Sequence, residues 1–184
     1  MQSEIEQRAE EVLTAVPDWL WNKQTLPVPV DEIADSCFGL WVREVEDLRS
    51  APGVPEIEET RGLSGLLLPS IGEIWVSAPE AREWPGRRRF TISHELGHWC
   101  LHRSDGAVWC RKHAVDPPEG DVPTPSRPRA EAEADEFAAA LLMPARLIRR
   151  HYERIGPSDD RFQQLCAAFG ASGAAMSRRL RRVI

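Results

Sequence analysis

The chain has 184 residues, 42% of them hydrophobic and 28% charged, and a formal net charge of -6. That composition suits a soluble globular protein with one sizeable core, and it argues against a generally basic surface for nucleic acid or membrane. No apolar run approaches the ~18 residues of a membrane span. The N-terminus, MQSEIEQRAEEVL, is acidic and amphipathic, and Cys37, Cys100, Cys110 and Cys166 make no CxxC pair. The expectation is a cytoplasmic protein with reduced thiols.

Ile5, Ala9, Val12 and Val16 recur at helical spacing, so residues 3–15 are expected to form a helix that Pro17 ends. Trp19 and Trp21 fall in a linker kept extended by Pro27 and Pro29, and a second short helix opens at Val30 and stops at Gly39. Residues 39–45 read as a first strand, followed by an acidic, proline-rich loop over 46–60. Residues 62–68 and 73–77 flank Pro69-Ser70-Ile71-Gly72, the pattern of a β-hairpin. Residues 86–102 carry apolar side chains around most of a helical girth, which marks a buried helix. Residues 103–127 contain four prolines and are expected to be irregular. Pro128 suits a first helical position, and the Ala/Glu/Leu-rich run to Met143 is strongly helical. Residues 145–154, 159–169 and 172–182 read as three further helices. The arginine runs at 87–89, 146–154 and 178–182 read as solvated helix faces, or as docking sites for an acidic partner or for nucleic acid.

The chemistry centres on His94-Glu95-Leu96-Gly97-His98. Residues four apart on a helix share a face, so both imidazoles can reach one zinc ion at ~2.0–2.1 Å. Glu95 falls on the flank of such a metal, where it can take a proton from the attacking water and pass it to the leaving amine. Gly97 removes bulk between the two histidines and lets another element approach. A catalytic zinc needs a third protein ligand and an open position. The helix after the proline-rich loop carries Glu131, Glu133, Asp135 and Glu136. Glu131 and Asp135 share a face, so one can bind the metal and the other can accept the free N–H of a ligand histidine. Glu133 points elsewhere. A solvated acidic face near a helix N-terminus is the plainer alternative. His102 lies ~12 Å from His94 along a continuous helix, too far for the same metal, and reads as a packing or hydrogen-bonding residue. Cys100, His102, Cys110 and His113 match no common structural zinc spacing.

Two stretches, Arg89-Phe90-Thr91-Ile92-Ser93-His94-Glu95-Leu96-Gly97-His98 and Glu131 through Pro144, resemble the ImmA/IrrE family of metallopeptidases. The resemblance is strong over residues 87–144, looser in the N-terminal helices and hairpin, and only helical in character over the last 40 residues. It implies an α+β, zincin-like fold: a small three-stranded sheet packed on the His-Glu-x-x-His helix and a second ligand helix, with extra C-terminal helices. It also implies one zinc ion held by His94, His98 and Glu131, with Glu95 as general base and Asp135, where relatives commonly have Asn, accepting a histidine N–H. Relatives act on helix-turn-helix transcriptional repressors, by cleavage or by relief, under stress or during mobilisation of genetic elements.

These readings divide the chain into a metallopeptidase core, residues 1–144, and a helical extension, 145–184, packed on it. The first functional expectation is a zinc endopeptidase acting on a repressor, with a peptide strand adding to an edge at 73–77 and with Tyr152, His113 or His151 as oxyanion donor. The second is a non-catalytic zinc-binding module that relieves its repressor by binding alone. Direct DNA binding by the C-terminal helices is a third, opposed by the acidic net charge. Neither membrane association nor any particular oligomeric state is expected.

Overall fold

The computed structural model describes residues 3–52, 63–102, 109–112 and 129–184. Helix α1 spans Glu4–Ala15, and its N-cap Ser3 accepts a hydrogen bond from the Glu6 amide at 3.1 Å. Helix α2 (Val30–Phe38) ends where Gly39 turns left-handed with φ 64°. Strand β1 (Trp41–Val45) follows, then a short 3-10 turn at Leu48–Ser50 and the hairpin of β2 (Leu63–Leu68) and β3 (Glu73–Ser77). Helix α3 (Ala78–Glu83) was not foreseen, although Ser77 accepts from the Glu80 amide and Pro79 lies in its first turn. The long helix α4 runs Pro85–His102, β4 covers Trp109–Lys112, and α5 runs Arg129–Leu142. Helices α6 (Ala145–Ile155), α7 (Arg161–Phe169) and α8 (Gly173–Val183) complete the chain. Pro128, His113 and the proline-rich segment fall outside the described residues.

The architecture is α+β, with strand order β1-β3-β2-β4. The three expected strands are joined at one edge by β4, which forms inside the segment read as irregular. β1 pairs with β3 in parallel, and β2 pairs with β3 and β4 antiparallel. Strand β3 is therefore interior, and the expectation that a peptide adds to 73–77 is corrected. Its central Ile74, Trp75 and Val76 are all buried, the pattern of a strand flanked on both sides.

The sheet is covered on both faces. Leu67, Ile74 and Val76 join the main core with Ile92 and Leu96 of α4, whereas Leu66, Leu68 and Trp75 pack with Leu48 and Ala51. The main core also takes in Phe137 and Leu141 of α5 and Leu165, Phe169 and Met176 of the last helices. One continuous apolar cluster thus supports the α4 and α5 pair from the side opposite the sheet.

Several arginines read as solvated prove to be internal ties. Arg88 bridges Asp31 and Glu44 at 2.7 Å each, and Arg87 sits 5.7 Å from the Trp84 ring. Arg179 is only 3% exposed; its Nε donates to the Met143 carbonyl at 2.8 Å and its Nη2 to Glu6 at 2.6 Å. It therefore joins α8 to α1 and to the end of α5. Breaking a buried ion pair from one side leaves the other charge stranded. We expect Arg179→Ala to lower stability by about 3 kcal/mol, which in a chain of this size moves the thermal midpoint down by roughly 6–12 °C. A calorimetric shift under about 2 °C would show that the tie contributes little.

Candidate metal centre

Helix α4 is buried through residues 91–98, and His94, Glu95 and His98 are all 0% exposed. Gly97 is the point of closest approach to α5. A Cβ there would lie 3.2 Å from the Ala134 Cα, the Ala134 oxygen and Phe137. The glycine and the small Ala134 bring the two backbones together, and the Glu131 side chain consequently reaches across to α4.

The resulting cluster is tight. His94 Nε2 and His98 Nε2 lie 3.1 Å apart. Glu131 Oε2 is 3.3 Å from His94 Nε2, and its Oε1 is 3.1 Å from His98 Nε2. Three atoms each ~2.1 Å from one ion at tetrahedral angles are about 3.4 Å apart. Two imidazoles and a carboxylate at this spacing fit a divalent cation, and among the described residues they are the group of this kind that could hold one. The chemistry of the set suits zinc and several other divalent metals.

The surrounding contacts set the ring orientations. His94 Nδ1 lies 2.8 Å from Asp135 Oδ1. A carboxylate only accepts, so Nδ1 carries the proton and Nε2 faces Glu131 and His98. His98 Nδ1 lies 3.2 Å from His102 Nδ1, and His102 Nε2 lies 2.9 Å from Glu133 Oε2. Glu133, expected to point away from the site, thus meets His102 on its far side. The structure brings His94, His98, Glu131 and Asp135 together with Glu95 beside them.

Strand β2 seats Glu95. A Cβ on Gly65 would fall 3.3 Å from Glu95 Oε1 and 2.4 Å from the Thr91 methyl. The β2–β4 register shifts between Leu63 and Gly65, so the strand is irregular at the point where it passes the carboxylate. Nothing in the sequence pattern singled out Gly65 or Thr91. An isolated glycine in a strand signals a bulge or a close approach, and that was the available clue.

Of the three expected oxyanion donors, Tyr152 and His151 lie on α6. Arg161 stacks on the Tyr152 ring at 4.2 Å, and His151 contacts Arg154 at 3.1 Å and the Phe169 ring at 5.7 Å. These contacts stay within the C-terminal helices, and His113 is outside the described residues. Burial pushes the Cys100 thiol up to about 12, so it is an inert packing group.

Residues 80–181 match the peptidase M78 family, described as the IrrE N-terminal-like domain. The chain belongs to this family. The match runs on through α6, α7 and most of α8, further than the resemblance read from the motifs. The zincin-like expectation for the α+β fold stands with it. Among solved structures, a Mycobacterium tuberculosis transcriptional regulator superposes with a TM-score of 0.58 at 22% identity, over 96% of this chain and 55% of that one. The likeness is one of fold, and the chain spans about half the length of that protein. A search of curated proteins gives no match. No helix among the described residues is long and apolar enough to cross a membrane.

Without metal, the cluster balances its charge with a proton. Burial opposes a charge on the His94 ring, but the hydrogen bonds to Asp135 and Glu131 and the nearby Glu95 outweigh it and raise its pKa to about 9. Burial, with the neighbouring His94 charge, holds His98 below the ordinary histidine value. Burial also opposes the Glu131 charge, yet the two rings against its oxygens hold it well below the usual carboxylate range. A divalent cation must displace the His94 proton. Zinc affinity should therefore climb about tenfold per pH unit through neutrality and level off near pH 9. Chelator competition at several pH values reads the slope, and an affinity flat from pH 6.5 to 9 would mean that His94 holds no proton against the metal.

Proposed function

We propose that this protein is a zinc-dependent endopeptidase, and that its substrate is a helix-turn-helix transcriptional repressor. The observation that carries the catalytic part is the convergence of His94 Nε2, His98 Nε2 and Glu131 within 3.1–3.3 Å, with Glu95 next to His94 on the same buried helix. The substrate class rests on the motif resemblance alone.

In this reading His94, His98 and Glu131 bind the ion, and Asp135 keeps the His94 lone pair aimed at it. When bound, zinc would polarise the scissile carbonyl and make water a nucleophile near neutral pH. The Glu95 carboxylate takes the proton of the attacking water and delivers it to the amine nitrogen as the peptide bond breaks. Gly65 keeps β2 clear of that carboxylate, since a Cβ there would fall 3.3 Å from Oε1. The domain division at residue 144 belongs to the same proposal, with 145–184 as a helical support.

Full burial of His94, Glu95 and His98 favours a second reading, in which the metal stabilises a module that relieves its partner by binding. One substitution separates the two. Glu95→Gln keeps size and hydrogen bonding but cannot accept the proton. Cleavage of the partner repressor should fall by about 10²–10⁴-fold, while zinc content and melting temperature stay near wild type. Cleavage by Glu95→Gln at the wild-type rate would remove Glu95 from the chemistry. A partner bound but left intact by zinc-loaded wild type would select the binding module.

A further inference from the structure

The second metal-facing histidine is held differently from the first, and the difference identifies two residues outside the ligand set. His94 meets a carboxylate directly, whereas His98 Nδ1 meets another imidazole, His102 Nδ1, at 3.2 Å. The proton positions along that contact follow from its outer end. Arg129 Nε donates to Glu133 Oε1 at 2.6 Å, so Glu133 is an ionised acceptor. His102 Nε2, at 2.9 Å from Glu133 Oε2, must then be the donor. With its lone pair on Nε2 for a metal, His98 carries its proton on Nδ1, where a neutral His102 that donates through Nε2 accepts it.

That lone pair faces Glu131 Oε1 at 3.1 Å. The same lone pair lies 3.1 Å from His94 Nε2, so the three candidate ligand atoms converge on one point. We infer that His102 and Glu133 are positioning residues that fix His98 as its Nδ1–H tautomer and so aim its Nε2 at the metal. Helix α5 orients both ligand histidines, one through Asp135 and one through Glu133 by way of His102. The inference rests on the proposed metal site.

The test measures zinc affinity by chelator competition, with zinc itself as the probe, in wild type, His94→Ala, His102→Phe, His102→Gln and Glu133→Ala. Phenylalanine fills the imidazole space without accepting, and affinity should fall by about 10–100-fold. Glutamine can accept from His98 and donate to Glu133, and it should stay within about threefold of wild type. Glu133→Ala should lose about three- to tenfold. In the zinc-loaded protein the His98 Nδ1–H should appear as a protected imidazole proton by NMR in wild type and His102→Gln, and exchange rapidly in His102→Phe. Wild-type affinity and a protected proton in His102→Phe would overturn the inference. Should that variant not fold, unchanged affinity in Glu133→Ala would do the same. A wild type that takes up no zinc, or a His94→Ala that binds it normally, would instead sink the metal site itself.

Discussion

The close approach of α4 and α5 at Gly97 and Ala134 is the constraint on which the site depends. A glutamate side chain spans only a few ångströms, so Glu131 reaches two imidazoles on another helix only if the backbones nearly touch. The 3.2 Å clearance at Gly97 leaves no room for a methyl group without displacing α5. Interior packing tolerates little such movement. The core below the pair, from Phe137 and Leu141 to Phe169 and Met176, turns that approach into a fixed distance.

Helix α5 distributes its carboxylates around this contact. Glu131 meets both ligand histidines, Asp135 meets His94 from behind, and Glu133 meets His102. Glu136 takes a different direction, accepting from Ser3 at 2.5 Å and lying 3.6 Å from Arg182. A solvated acidic face would leave such groups without fixed partners. Here every acidic residue from Glu131 to Glu136 has a fixed partner, and Glu136 helps dock the N- and C-terminal helices against α5.

Much of this was legible in the sequence because helical periodicity is a local property. The spacing of His94 and His98, the shared face of Glu131 and Asp135, and the small residue at Gly97 are consequences of 3.6 residues per turn. What was not legible depends on how elements meet. Glu133 seemed to point away because the reading took a single helix in isolation; a long side chain beside a neighbouring helix reaches His102 from the other flank. Strand β3 passed for an edge because hairpin patterning says nothing about β1, which returns to pair with it in parallel. Arg179 was hidden in a run of exposed arginines, since charge runs do not reveal which member turns inward.

The two sides of α4 divide the labour between holding and reacting. On the α5 side, polar contacts pin every ring, which suits ligands that must not move during a reaction cycle. On the sheet side, strand β2 passes Glu95 at Gly65, where a Cβ would fall 3.3 Å from Glu95 Oε1 and the β2–β4 register shifts. A base that shuttles a proton between an attacking water and a leaving nitrogen has to shift by about an ångström between them. The absence of a side chain at Gly65 is therefore as much a part of the candidate site as the charged residues that line it.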